Sequence, residues 1–365
     1  MSYLEYTVKH VPTGFAKILH LNWPLTILLA AVSGVGFLML YSVAGGSFTP
    51  WAEPQMKRFA LGIALMIAAG MVPIWLWRNL AGVAYFGTVI LLIGVELFGA
   101  VGMGAQRWIE IGSFRLQPSE LMKLAVPMAV AWYLQKRSLP PSLKYTAACL
   151  VIMTLPALLI GRQPDLGTSI LVFVAGFSVL LLAGLPWRLV LWAGLTISAA
   201  APLIWQFVLE GYQRQRVITL FDPQSDPLGA GWNIIQSTTA IGSGGMFGKG
   251  LFQGSQSYLD FLPEARTDFI VAVMGEELGF VGVAFLLLMY LLIIARGLWL
   301  ASQAGSTFGR LLAGAFVLTF FVYVFVNVAM VSGILPVVGV PLPLVSYGGT
   351  SAITLMAGFG VIMSV

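Results

Sequence analysis

Apolar residues run in long blocks separated by short polar breaks, and the blocks have the length a bilayer demands. A helix needs about 20 mostly apolar residues to cross the hydrocarbon core. Ten segments fit, at 24–44, 57–75, 80–101, 117–135, 144–160, 167–184, 187–208, 268–297, 308–332 and 347–365. The pattern predicts an all-α polytopic membrane protein, one membrane domain over 1–365. Residues 1–23 read as a polar, partly amphipathic lead-in at the membrane surface. The first apolar run exceeds the roughly 7–15 residues of a signal-peptide core, so it reads as an anchor. One break is long, residues 209–267, between the seventh and eighth segments. Structureless loops above about 15 residues are uncommon and disordered ones are poor in aromatics. This one carries Trp232, Tyr258 and Phe261, so it predicts a folded cap.

Composition agrees. Hydrophobic residues make up 59% of the chain and charged residues 9%, against about 25% charged in soluble domains. The net charge of +5 is too modest to argue for nucleic acid. Cys149 is the one cysteine, and His10 and His20 precede the first span, so neither a disulfide nor a Cys- or His-built metal site is expected.

Charge placement sets the orientation. Ten spans put both termini on one side, with Lys9, Lys17, Arg78, Lys136, Arg137, Lys144, Arg188, Arg296 and Arg310. The short loops opposite hold Lys57, Arg58, Arg107, Arg115 and Arg162. Cations in short loops stay in the cytoplasm, so the termini are expected inside and the long loop outside. Of fourteen acids, only Glu5 falls on the inner side. The long loop and its end hold Asp222, Asp226, Asp260, Glu264 and Asp268. Acids weigh little in topology, so this asymmetry suggests a working outer face, or simply polar outer loops.

Some charges sit inside the apolar blocks. Glu120 and Lys123 open the fourth span three residues apart, on one helix face. They form either a structural ion pair or part of a wet cavity. Glu276 and Glu277 are adjacent in the eighth span, and at most one of them can point toward the same cavity as Asp268. Asp268 follows Thr267 at the head of that span. It is either a helix cap or a carboxylate at the lip of a membrane cavity, suited to general-base work. Arg266 beside it would bind an anion or tune the acid.

Two loop motifs are ambiguous. Gly242-Ser-Gly-Gly-Met-Phe-Gly-Lys-Gly lacks the phosphate-loop spacing, since Ser243 stands where the first glycine belongs and Gly250 follows Lys249. It reads as a flexible turn, with an anion nest as the alternative. The segment from Leu335 to Gly349 holds Pro336, Pro341 and Pro343. It is either a stiff loop or a stretch dipping into the membrane domain, where irregular backbone survives only if buried in protein or lining a wet cavity.

Read together, these segments resemble the SEDS family (shape, elongation, division and sporulation). The resemblance rests on Gln106-Arg-Trp-Ile-Glu-Ile-Gly, Gln117-Pro-Ser-Glu-Leu-Met-Lys, Arg162-Gln-Pro-Asp-Leu-Gly-Thr, Gly231-Trp-Asn-Ile-Ile-Gln-Ser, Phe261-Leu-Pro-Glu-Ala-Arg-Thr-Asp-Phe-Ile, Gly275-Glu-Glu-Leu-Gly and Pro341-Leu-Pro-Leu-Val-Ser-Tyr-Gly-Gly. It covers nearly the whole chain and favours the cell-elongation branch over the division branch. Arg266 departs from the histidine frequent there. The resemblance implies a peptidoglycan glycosyltransferase that polymerises lipid II at the outer face of the cytoplasmic membrane with a class B penicillin-binding protein. The family's essential loop carboxylate maps onto Asp268, and its paired Glu and Lys onto Glu120 and Lys123. The chemistry fits that assignment: Asp268 would take the acceptor hydroxyl proton. Arg107, Arg115, Lys123, Arg214, Arg216 and Lys249 are the cations available for the departing diphosphate. A divalent Mg or Mn ion travelling with the diphosphate is the one cofactor the chemistry suggests. Two rivals remain. A flippase for the lipid-linked precursor would need a polar path through both leaflets, and a scaffold for a partner enzyme would not need Asp268.

Overall fold

The computed structural model describes residues 16–19, 21–102, 105–111, 114–226, 229–258, 261–262 and 264–365. Asp260, among the acids of the long loop, lies outside them, as does most of the lead-in. Helices run in chain order as α1 Ala16–Leu19, α2 Trp23–Val43, α3 Ala52–Met71 and α4 Ile74–Phe98. A small antiparallel sheet follows, β1 Ala100–Gly102, β2 Ala105–Ile111 and β3 Phe114–Leu116. Then come α5 Pro118–Leu134, α6 Leu143–Arg162, α7 Leu166–Leu182 and α8 Trp187–Leu203, the last running into a π-helical turn, Ile204–Val208. The long loop supplies α9 Gly211–Phe221, α10 Ala230–Gly244 and α11 Ser255–Tyr258. The chain ends with α12 Ile270–Gln303, α13 Thr307–Val331 and α14 Thr350–Met363.

All ten predicted spans are helical. Among the described residues six helices are long and apolar enough to cross a membrane, and the chain is a multi-pass membrane protein. α7 and α14 are apolar but shorter, at 17 and 14 residues. Boundaries follow local chemistry more than hydropathy. α4 begins at Ile74, directly after Pro73, which sits in an extended conformation at the cap position. α5 starts on Pro118, whose missing N–H costs nothing in a first turn. Asp165 caps α7 by accepting from the Thr168 N–H at 3.1 Å, and Ser306 caps α13 through Gly309 N–H at 3.1 Å.

The purely helical expectation needs correction at residues 100–116. There the Gln106-Arg-Trp-Ile-Glu-Ile motif forms β2, pairing with β1 on one side and β3 on the other. Trp108, Ile109 and Ile111 are aromatic or β-branched residues that suit a strand, in a stretch between two predicted spans.

The apolar interior has two lobes. One gathers α2, α3, α10, α12, α13 and α14, with Leu25, Met39, Ile270, Met289, Phe320 and Phe359 at its centre. The other gathers α4, α5, α6 and α7, with Leu92, Val126, Met153 and Val172. α13 belongs to both: Phe316, Val317 and Phe320 face the first lobe, and Leu311, Leu312 and Ala315 the second. It is the wall between them.

The long loop is folded. α10 packs against α12 so closely that a Cβ on Gly244 would collide with the Gly275 carbonyl. Ser237, fully buried on α10, donates to the Val331 carbonyl at 2.9 Å. The Gly242–Gly250 motif turns at 245–247, and its Gly248, Lys249 and Gly250 N–H groups are spent on carbonyls rather than left open as an anion nest. It is a strap docked into a break in α12, where Gly279 adopts φ 67°, ψ −167°. Phe280 and Val281 N–H donate to the carbonyls of Gly245 and Met246 at 2.9 and 3.1 Å. In return Lys249 and Gly250 N–H donate to those of Glu276 and Glu277 at 3.0 and 2.9 Å. The strap supplies partners for backbone groups that the break leaves open.

Candidate active site

Asp268 lies in a turn two residues ahead of α12, outside the helix. It therefore does not cap the helix; the residue before α12 is Phe269, which makes no side-chain cap bond. Its carbonyl accepts from Asn327 Nδ2 at 2.9 Å, and the same nitrogen donates to the Val340 carbonyl at 2.7 Å. Asn327 is fully buried on α13, so one side chain ties the Asp268 turn to the proline-rich segment. The Asp268 carboxylate faces that segment, and a Cβ on Gly339 would stand 3.5 Å from Oδ2. Burial pushes the Asp268 carboxyl up to about 6, the nearby charge of Glu264 pushes the same way, and Arg216 pulls it down. Glu264 is itself engaged, accepting from Thr267 Oγ1 at 2.5 Å.

The middle of the proline-rich segment is buried. Val340, Leu342, Leu344, Val345 and Ser346 are all at most 3% exposed. It runs against the middle of α2, where a Cβ on Gly36 would come within 2.7 Å of the Val345 Cα. Its backbone is satisfied from several directions, as irregular chain at membrane depth requires. Tyr290 Oη donates to the Pro343 carbonyl at 2.5 Å, and Gln55 Nε2 to that of Ser346 at 3.3 Å. Gly348 N–H donates to Gln55 Oε1 at 3.2 Å, and Tyr347 N–H to the Arg266 carbonyl at 2.9 Å. Ser346 Oγ donates to the Thr267 carbonyl, fastening the segment to the turn that carries Asp268.

Glu120 and Lys123 form a nearly buried pair, Nζ to Oε1 2.6 Å, with side chains 9% and 11% exposed. Lys123 Nζ also lies 4.6 Å from the ring centre of Tyr323. Around them opens a cavity with an empty volume of about 360 Å³, part of it open to the outside, lined by Thr319, Tyr323, Ser351 and Thr354 among apolar side chains. A second hollow, walled by Pro341–Leu344 and Ser346, shares Tyr323, Ser351 and Leu355 with it. Thr319, Tyr323 and Asn327 are four residues apart and lie on one face of α13. That face carries a polar stripe from the Glu120–Lys123 pair to the Asp268 turn. Sequence reasoning missed it, although the four-residue spacing within an otherwise apolar span is a readable signal.

The remaining nominated residues divide by their partners. Arg107 donates to the Gln163 carbonyl at 3.2 Å and to that of Pro164, and sits 3.7 Å from Asp165. It locks the sheet onto the α6–α7 turn. Arg115 pairs with Glu110 across β2 and β3 at 2.9 Å. Lys249 pairs with Glu276 at 2.6 Å. Glu276 is fully buried and also accepts from Ser255 Oγ at 2.9 Å and Gln256 N–H at 3.1 Å. Glu277 turns the other way and accepts from Ser42 Oγ at 2.6 Å. Glu276 thus holds the strap and Glu277 ties α12 to α2, each through partners other than Asp268. Arg214 donates to the Gln206 carbonyl at 2.9 Å. Arg216 lies over the Tyr212 ring, and Arg266 over Trp51. Of the seven nominated cations, Arg107, Arg115, Lys123 and Lys249 are matched by carboxylates, whereas Arg214, Arg216 and Arg266 have none within 4.0 Å among the described residues.

Known proteins share this organisation. A peptidoglycan glycosyltransferase, MrdB, of Escherichia coli (strain K12) is 51% identical over 346 residues, 95% of this chain and 93% of its own length. The peptidoglycan glycosyltransferase RodA of Treponema pallidum is 33% identical, over 94% of this chain and 97% of its own length. Among solved structures, a chain of a peptidoglycan synthase complex that coordinates polymerization and crosslinking superposes with TM-score 0.82 at 31% identity, over 94% of this chain and 97% of that one. The rod shape determining protein RodA of Thermus thermophilus superposes with TM-score 0.71 at 30% identity, over 95% and 96%. The family described as cell cycle protein, FtsW/RodA/SpoVE, matches residues 22–365, and the chain belongs to it.

Proposed function

We propose that this chain is a peptidoglycan glycosyltransferase that joins lipid-linked disaccharides into glycan strands during cell elongation, with Asp268 as its general base. The observation carrying the mechanism is the setting of Asp268. A carboxyl raised to about 6 is mostly ionised near neutral pH yet basic enough to accept a proton. Its turn is fixed from behind by Asn327, and a rigidly held base avoids reorganisation during the reaction.

In the proposed step an acceptor sugar hydroxyl loses its proton to Asp268. Its oxygen forms a bond to the anomeric carbon of the donor, and the bond from that carbon to the diphosphate oxygen breaks. One displacement without a sugar–enzyme intermediate inverts the anomeric configuration. The released polyprenyl diphosphate carries the negative charge that develops, and unpaired guanidinium groups are suited to hold it. Arg216 and Arg266 fit that role better than Arg107, Arg115, Lys123 or Lys249, whose charges are already matched. Glu120–Lys123 shapes the cavity. Among the described residues no three of His, Cys, Asp or Glu converge. A divalent Mg or Mn ion that enters with the diphosphate remains part of the reading, and no step runs through it.

The same reading takes the ten helices as ten spans of one membrane domain, with both termini in the cytoplasm and residues 209–267 outside the inner membrane. A class B penicillin-binding protein would supply crosslinking, and the structural relative in a synthase complex supports such a partner. The test is purified protein with lipid II and a transpeptidase-inactive partner. Wild type should form glycan strands, and Asp268→Ala should form none while folding and binding its partner normally. Strands from the alanine variant would remove Asp268 from the mechanism.

A further inference from the structure

Two guanidinium groups and two aromatic rings form a continuous stack beside Asp268. Arg266 lies 4.1 Å from the ring centre of Trp51, and Arg58 lies 4.6 Å from that of Tyr347. Trp51 and Tyr347 meet edge to face, 5.2 Å apart at 78°. The order along the stack is Arg266, Trp51, Tyr347, Arg58, with a charge at each end. The four residues come from three segments: the start of α3, the Asp268 turn and the end of the proline-rich segment.

Two features separate this cluster from ordinary packing. Neither arginine has a carboxylate within 4.0 Å among the described residues, unlike Lys57 beside Arg58, which pairs with Glu53 at 2.6 Å. A ring face holds a guanidinium through its flat side and leaves the in-plane N–H groups unspent. In Arg58 the deficit is explicit: Nη1 is buried and meets no acceptor. A buried charged donor without a partner is costly, and an anionic ligand relieves that cost. The scaffold is also rigid. Gln55, 2% exposed and three residues before Arg58, holds both Ser346 and Gly348, while Tyr347 N–H holds the Arg266 carbonyl.

We propose that Arg58 and Arg266, seated on Trp51 and Tyr347, form a clamp for the diphosphate of a polyprenyl-linked sugar next to Asp268. The inference rests on the glycosyltransferase reading for the identity of the anion. The clamp supplies two forked donors, which match the bidentate geometry of phosphate oxygens better than ammonium groups do. The diphosphate belongs either to the donor, as leaving group, or to the lipid end of the acceptor.

Binding of undecaprenyl diphosphate to the full chain in nanodiscs tests the clamp without any turnover. Arg58→Met with Arg266→Met keeps the stacked volume and removes both charges. The dissociation constant should rise roughly ten- to hundredfold, while Lys57→Met, at an exposed cation already matched by Glu53, should leave it within about twofold. An unchanged constant in the double variant overturns the clamp. Should the double variant fail to fold, Arg58→Lys with Arg266→Lys preserves charge and removes the fork. That pair should bind at least about threefold more weakly, and equal binding again overturns the proposal. Polymerisation then separates the two sources. With a soluble disaccharide acceptor that carries no diphosphate, a raised KM for the lipid-linked donor in the double variant marks the donor diphosphate; a normal KM there, with a defect only when the acceptor is lipid-linked, marks the acceptor. A wild-type chain that binds the diphosphate but makes no strands would refute the glycosyltransferase reading and leave the clamp standing.

Discussion

Acidification perturbs Asp268 without a mutation. With its carboxyl at about 6 rather than the usual 3.8, the base is about 90% ionised at pH 7 and about 10% at pH 5, since each unit below the pKa costs tenfold. If the ionised form is the base, kcat/KM for strand formation should fall roughly tenfold over those two units. A carboxyl at its usual value would stay about 94% ionised at pH 5, and the rate would barely change. The assay is the initial rate at subsaturating lipid II, which reports the free enzyme. Two variants carry the reasoning further. Glu264→Gln removes a like charge that raises the Asp268 carboxyl, so the midpoint should move to lower pH. Arg216→Gln removes the charge that lowers it, so the midpoint should move to higher pH. A flat profile from pH 7 to 5, or midpoints that ignore both substitutions, refutes Asp268 as the titrating base.

Stability follows with the opposite sense. Between pH 3.8 and about 6 the folded chain keeps a proton on Asp268 that the unfolded chain has released. The unfolded state binds fewer protons there, so this group lowers stability as pH rises through the window. Asp268→Asn should remove that slope, as thermal unfolding across the same pH range would show.

Three other outcomes are expected. Lys123→Met leaves Glu120 charged and nearly buried without its 2.6 Å partner, at a cost of about 3–5 kcal/mol in detergent unfolding, and adding Glu120→Gln should recover much of it. Gly244→Ala drives a methyl into the Gly275 carbonyl and should destabilise by about 1–3 kcal/mol; Gly242→Ala, with nothing within 4 Å of the new methyl, should be neutral or slightly stabilising in the same helix. Asn327→Leu strips the Asp268 and Val340 carbonyls of their shared donor, at about 1–3 kcal/mol for each group left unpaired, and should lower kcat more than it raises KM.

Much of this was legible because spans are written in long, redundant patterns. All ten apolar blocks are helical, and the Glu120–Lys123 pair follows from spacing alone, since residues three apart share a face. What escaped the pattern was set by contacts between distant segments. The break at Gly279 sits inside a run whose hydropathy is continuous, and only docking of the strap makes it tolerable. Lys249 looked like a free cation because its partner Glu276 lies 27 residues away. The β2 strand was hidden because its motif does not alternate cleanly: Gln106 and Arg107, then Trp108 and Ile109, stand side by side. Arg58 read as an ordinary loop-end cation until Tyr347, far along the chain, lay beneath it.

Pairing decides where negative charge can be received. An ion pair presents little net field to a ligand, and separating a buried pair is costly. Arg107, Lys123 and Lys249, which hold the sheet, the cavity and the strap, are therefore poor candidates to follow a departing diphosphate. Arg216 and Arg266 remain near Asp268, and Arg58 joins them through the aromatic stack. Their supports differ: Arg216 stands on α9 of the folded loop, whereas Arg58 and Arg266 are stapled to the membrane helices through Gln55 and Tyr347. On the proposed reading, Asp268, its turn held by Asn327, would work with one cation on the cap and two on the core. It can do so only if the cap keeps its register on α12. That makes Glu276→Gln a test of the whole arrangement: the variant frees Lys249, loosens the strap, and should weaken strand formation while leaving undecaprenyl diphosphate binding at Arg58 and Arg266 intact. Equal loss of both would show that the core cations depend on the cap, and the division of labour argued here would fall.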